Sequence, residues 1–319
     1  MSKKKKPAVQ STDILVSAID EALALLKQSS YGEKAMHTYR DDPGSLLEQC
    51  IALCEKNKAR KPEPIRTIHH FACTGGTLFG KCLAVMPNTQ LLSEVDPLST
   101  LGINDNSKKF APTDMITLMR QSTSGGNKEL IIEMFLNNIE IIYASALQMG
   151  KRLILRDHAH SHFCVGNVIP ERQNLRQILM RRLPVLSVVT VREPIDSYLS
   201  LVNNKWVNFS PPTFDEYCRR YLIFIDSYHD VPIIKYEDFV VSPYESMDAL
   251  CNLLDIPYSD QFIDLFNVIN LTGDSGRSSG EIMARPRRVI NKNLRQEVSE
   301  SLNYEKIRNV LKYDCNNSF

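Results

Sequence analysis

From residue 65 onward, two hydrophobic rhythms alternate along the chain. Ile65–Phe71, Thr89–Ser93, Arg152–Leu155, Val185–Val191 and Ile233–Tyr236 read as short strands, Val185–Val191 being a continuous apolar, β-branched run. Between them, apolar residues recur at helical spacing. Leu78–Met86 reads as one helix, and Thr113-Asp114 caps another over Met115–Gln121. Lys128–Met149 is a long helix with Ile131, Ile132, Phe135, Ile139, Ile142 and Ala146 on one face and Gly150 at its C′ position. Residues 171–182 read as helical. Pro194 opens a helix to about Asn204 at its favoured first position. Thr213 with Glu216, and Ser242-Pro243 with Glu245, form capping boxes for helices reaching Tyr228 and Leu254. Residues 255–267 add a short helix and residues 295–312 a closing one.

The first 60 residues differ. Thr12-Asp13 caps a helix to about Lys27, Asp42-Pro43 opens another through Glu55, and Lys56–Pro64 is a polar, proline-bearing linker. The expected organisation is therefore a helical N-terminal extension over residues 1–60 and an α/β domain over residues 65–319. Strand–helix alternation predicts a mainly parallel sheet flanked by helices. Val185–Val191, continuously apolar, suits a strand covered on both faces.

Composition narrows the picture. The net charge is +1, which gives no global field for nucleic acid, and Lys3–Lys6 reads as a solvated tail. No run approaches the roughly 18 uninterrupted apolar residues of a membrane span. Asp20 and Glu21 interrupt the first apolar helix, which argues against a signal peptide and for a cytoplasmic chain. The eight cysteines are scattered without a Cys-x-x-Cys pair, as for free thiols. His158, His160 and His162 would share one face of a strand, but no carboxylate or thiol at ligand spacing accompanies them, so no metal is expected.

Ligands of parallel sheets sit beyond the carboxyl ends of the strands. Those ends carry Thr74-Gly75-Gly76-Thr77, then Glu94, then Arg156 and His158, then Arg192, then Glu237-Asp238. A strand, a glycine-rich turn and a helix N-terminus make an anion site, because converging N–H groups and the helix dipole both favour negative charge. Arg192 offers a planar fork for a phosphate and Ser200, two helical turns on, a hydroxyl.

In this order and spacing the segments resemble the sulfotransferase superfamily, which uses 3′-phosphoadenosine 5′-phosphosulfate and has a P-loop NTPase-like fold. Thr74-Gly75-Gly76-Thr77-Leu78 is similar to the family's 5′-phosphosulfate loop. Arg192 and Ser200 have the spacing of its 3′-phosphate pair. Lys235-Tyr236-Glu237-Asp238-Phe239 resembles its Tyr-Glu-Asp region, and Gly273–Arg277 its late loop over the nucleotide. The resemblance implies sulfuryl transfer to an acceptor hydroxyl, on a glycan or other small molecule, with the donor held by residues 74–78, Arg192, Ser200 and Arg277. It implies His158 or Glu94 as general base. One departure is Cys73, where many members have Lys or Arg; Arg156 is the favoured substitute, with Lys81 and Arg277 behind it.

Two other readings stay open. Gly75-x4-Gly80-Lys81 matches the start of an ATP-binding P-loop, but Cys82 follows where a Mg²⁺-binding Ser or Thr belongs. An inactive nucleotide-binding module of the same fold would also accommodate Cys73.

Overall fold

A computed structural model describes residues 48–51, 62–101, 110–272, 280–284, 286 and 289–313. Pro64–Phe319 forms one compact unit, distinct from Met1–Glu63. Of the latter, residues 48–51 are helical and exposed; the helix expected over residues 14–27 lies outside the described residues.

Burial explains the sheet order. β1 (Ile65–His70) is buried at every residue, so it must be central. Strands β2 (Thr89–Val95), β3 (Arg152–Asp157), β5 (Val185–Val191) and β7 (Ile233–Lys235) join it in the order β2-β3-β1-β5-β7, every pair parallel. β4 (Val165–Gly166) and β6 (Asn208–Phe209) form a separate parallel pair. The chain leaves β1 towards one side of the sheet and later returns on the other. The turn after β1 thus sits at the switch point, where such sheets bind ligands.

The helices fall close to expectation: α1 (Gly76–Ala84), α2 (Met115–Arg120), α3 (Lys128–Gln148), α4 (His160–Phe163), α5 (Leu175–Leu179), α6 (Pro194–Asn203), α7 (Phe214–Asp226), α8 (Tyr236–Val241), α9 (Pro243–Leu253), α10 (Phe262–Leu265), α11 (Lys292–Glu300) and α12 (Leu302–Leu311). Asp114 caps α2 through the amides of Ile116 and Thr117, and Thr213 accepts from the Glu216 amide. By length and composition α3 could cross a bilayer. Its stripe of Ile131, Ile132, Phe135, Leu136 and Ile139 instead packs with Leu153 and Leu155 of β3.

Several boundaries are corrected. The closing helix is two helices, because the Ser301 hydroxyl caps a new start by accepting from the Tyr304 amide while donating to Asp215. Ser242 makes no side-chain cap bond, and Pro243 alone opens α9. Residues 171–182 hold only the short α5, whose capping box is Asn174 with Gln177. Residues 255–267 hold only α10 and the start of a 3₁₀ turn over Phe266–Val268. His160 and His162 lie on α4, beyond the strand that holds neither of them, so the three histidines share no strand face. No cluster of metal-ligating residues occurs among the described residues. β7 ends at Lys235, so Glu237 and Asp238 follow the strand end in the first turn of α8. The Glu237 carboxylate accepts from the Glu193 amide and the Tyr313 hydroxyl.

Both faces of the sheet carry buried polar groups. On one face, Tyr228 and His69 converge on one Asp157 carboxylate oxygen at 3.0 and 2.6 Å, and His69 continues to Thr67 and Thr67 to Ser187. On the other, the fully buried Arg66 donates to the carbonyls of Leu254 and Asp255 at the end of α9.

Asp96, just past β2, is buried against a bidentate Arg172 and the Ser161 hydroxyl. Burial alone would raise its pKa, but these partners outweigh burial and hold the carboxyl below its ordinary value. A carboxylate with a depressed folded pKa contributes stability above its unfolded pKa and loses it as pH falls through the folded value. Arg172→Ala strands this charge, so a loss of about 3–5 kcal/mol is expected in denaturant unfolding. Without Arg172 the Asp96 pKa is no longer held down, so the part of the acid loss of stability that Asp96 contributes should flatten; unchanged unfolding would count against the pair.

Candidate active site

A cavity of about 310 Å³ opens beyond the carboxyl ends of the sheet. Its floor is the turn after β1. The Thr74 amide and hydroxyl both donate to the Phe71 carbonyl, at 3.4 and 2.8 Å, and the Tyr217 hydroxyl donates to Ala72. Gly75 caps α1 at φ 92°, and its carbonyl receives the amides of Leu78 and Phe79. The open end of the helix is therefore the Gly75-Gly76 amides.

Both glycines are also required by close approach. A Cβ on Gly75 would lie 2.5 Å from the Tyr236 ring, and one on Gly76 would lie 2.3 Å from the His70 ring. Cys73 at φ 62° takes the left-handed conformation without being glycine, a strain that persists only where surroundings enforce it.

Arg192 follows β5. The Tyr221 hydroxyl fixes its backbone by accepting from its N–H at 2.9 Å and donating to its carbonyl at 3.0 Å. Its guanidinium stacks 4.7 Å over the Tyr236 ring and donates to the Cys73 carbonyl at 3.4 Å. The Arg192 Nε is buried without a partner among the described residues. Glu193 turns elsewhere, to the Tyr304 hydroxyl and the Asp196 amide.

The second half of the site depends on a bulge. Leu92 pairs with Leu155 but Val95 with Asp157, so β2 carries one extra residue, and Glu94 sits there at φ 59°. In a regular strand Ser93 and Glu94 would point to opposite faces. The bulge brings both to Arg156. Arg156, itself buried, donates from Nε to Ser93 Oγ at 2.8 Å, from one Nη to His70 Nε2 at 3.0 Å, and from the other to Glu94 Oε1 and the Thr272 carbonyl. Glu94 Oε2 lies 3.2 Å from His158 Nε2. Burial first, and then the Arg156 charge, push the His70 pKa well down. A neutral His70 can accept from Arg156 while its other ring nitrogen faces the Phe71 carbonyl at 3.3 Å.

The structure thus gathers Gly75, Gly76, Thr77, Leu78, Glu94, Arg156, His158 and Arg192 around one cavity, with Cys73 and Lys81 on its lining. Thr74 is fully buried as a staple of the turn and Ser200 is buried within α6; neither lines the cavity. Arg277 lies outside the described residues. Sequence reasoning missed His70, Ser93 and the wall of Asn204, Trp206 and Asn208, and gave Tyr236 no role beyond its place in the Lys235–Phe239 segment. His70, one residue before the predicted end of its strand, carried a faint signal of its own. The rest depend on the bulge and on loop packing.

A scan against protein-family models matches none, and no curated protein matches the chain in sequence. In three dimensions the chain is similar to the sulfotransferase domain from the curacin biosynthetic pathway, at TM-score 0.45 and 16% identity over 80% of this chain and 99% of that one. It is similar to the sulfotransferase domain from the Synechococcus PCC 7002 olefin synthase, at TM-score 0.46 and 17% identity over 80% and 96%. It is also similar to mouse sulfotransferase SULT7A1 complexed with PAP, at TM-score 0.33 and 11% identity over 66% and 65%. At these scores and identities, function has to be argued from the site itself.

Proposed function

We propose that the chain transfers a sulfuryl group from 3′-phosphoadenosine 5′-phosphosulfate to an acceptor hydroxyl. The observation that carries this reading is a single cavity with two anion-holding elements, the Gly75-Gly76 helix end and Arg192, beside the Glu94–Arg156–His158 cluster. A donor with two separate phosphate groups needs two such elements. The sulfur–oxygen bond to the acceptor forms as the bond to the phosphate bridge breaks; the acceptor proton goes to a base and the bisphosphate departs.

The residues divide this work. The turn amides and the dipole of α1 hold the phosphosulfate end. Arg192, held against Tyr236, takes the second phosphate. Arg156 supplies fixed positive charge where Cys73 supplies none. His158 takes the proton, with Glu94 at its Nε2 orienting the ring and stabilising the imidazolium.

The ATP–Mg²⁺ reading fits less well. Cys82, in the place of the metal-binding hydroxyl, is wholly buried in the core with Phe79 and Met247, and burial pushes its thiol pKa up.

Calorimetry with adenosine 3′,5′-bisphosphate in EDTA tests the proposal. Tight binding is expected, weakened about 10–100-fold by Arg192→Ala, the worth of a charge-assisted pair. A strict requirement for ATP with Mg²⁺ would overturn it.

A further inference from the structure

The cavity extends past His158 to a wall with its own chemistry. His160, at the start of α4, lies with its ring centroid 6.0 Å from that of His158 and 6.4 Å from that of Trp206, edge-on to the indole. Asn204 and Asn208 line the same cavity. The loop that carries them is held firmly. Trp206 donates its amide to Leu201 at the end of α6, and β6 pairs Asn208 with Val165. The buried Arg220 fixes the β4 side by donating to the carbonyls of Phe163, Val165, Gly166 and Asn167.

The wall is rich in neutral polar groups. Asn204 and Asn208 bring neutral side-chain amides to the lining. His160 Nε2 is buried with no partner among the described residues. Burial and the neighbouring His158 lower the His160 pKa to about 4, so at neutral pH the ring is uncharged and offers one donor and one acceptor. Trp206 is 37% exposed and presents an aromatic surface among them.

We propose that this wall is the acceptor subsite and that it takes an uncharged, hydroxyl-rich ring, a neutral sugar, lying against Trp206. The inference rests on the sulfuryl-transfer reading for its role but not for its binding chemistry. A purely apolar alcohol would bury the two amides and the imidazole without partners, which sites built to hydrogen-bond penalise strongly. A sugar supplies both donors and acceptors at its rim and C–H groups at its face. The four wall residues His160, Asn204, Trp206 and Asn208 are uncharged at neutral pH, and the charged groups of the lining are Lys81, Glu94, Arg156, Arg192 and Glu281 elsewhere around the cavity.

The sequence contains one tryptophan, so intrinsic tryptophan emission reports on this wall alone. The full chain is titrated with methyl β-glucopyranoside, cyclohexylmethanol and methyl glucuronide. Adenosine 3′,5′-bisphosphate binding is measured on the same preparation by calorimetry. The glucoside should give a saturable emission change, with the other two at least about tenfold weaker. Asn208→Ala, at an exposed position, should weaken the glucoside about tenfold with unchanged thermal unfolding. Equal or tighter binding of cyclohexylmethanol or the glucuronide would overturn the inference. So would no response to glucoside in a protein that binds the bisphosphate. Glucoside binding without bisphosphate binding would support the subsite and overturn the donor reading.

Discussion

Arg156→Ala should lower turnover by about 10²–10³-fold, the loss seen when one preorganised donor to developing charge is removed. Arg156→Lys should not restore it. The guanidinium is shared among Ser93, His70, Glu94 and the Thr272 carbonyl. An ammonium on a flexible stem cannot reproduce that planar fork. The arginine is also a buried cation lining the same cavity as the turn that carries Cys73. Its loss should fall on kcat for sulfuryl transfer from labelled donor. Bisphosphate affinity should change less, because the turn amides and Arg192 remain. Thermal unfolding of each variant separates lost chemistry from a lost fold. A lysine variant with full turnover would remove Arg156 from the mechanism.

This arginine also illustrates what the sequence made legible. Its position at a strand end follows from strand periodicity, as do the turn after β1 and Arg192 after β5. Local patterns specify such positions because strand ends and helix caps are short-range features. The cluster that surrounds Arg156 was not legible in the same way. Ser93 and Glu94 reach it together only because β2 carries a bulge, and one extra residue leaves no mark in the short mixed segment Thr89–Val95. His70 looked like a strand residue, and its role comes from ring packing against Gly76. Trp206 and the two asparagines lie in a loop whose course is set by distant partners such as Arg220. The sequence likewise read Glu94 and His158 as competing bases, when space makes them neighbours.

Their proximity leads to the second large effect. With one carboxylate oxygen on Arg156 and the other 3.2 Å from His158 Nε2, Glu94 is tied to two partners. Both oxygens of that carboxylate are thus engaged, whereas an imidazole oriented by it can accept a proton and keep the resulting charge paired. His158→Ala should therefore reduce kcat by about 10²–10⁴-fold, the usual worth of a positioned general base. Glu94→Gln keeps the shape but removes the charge that supports the imidazolium. It should cost a similar factor with little change in bisphosphate affinity. Because the two act as one unit, the double variant should lose scarcely more than either single one. Losses that multiply in the double variant would mean two independent roles. A His158→Ala enzyme that stays active while Glu94→Gln is dead would make the carboxylate the base, with Arg156 released from it during the reaction.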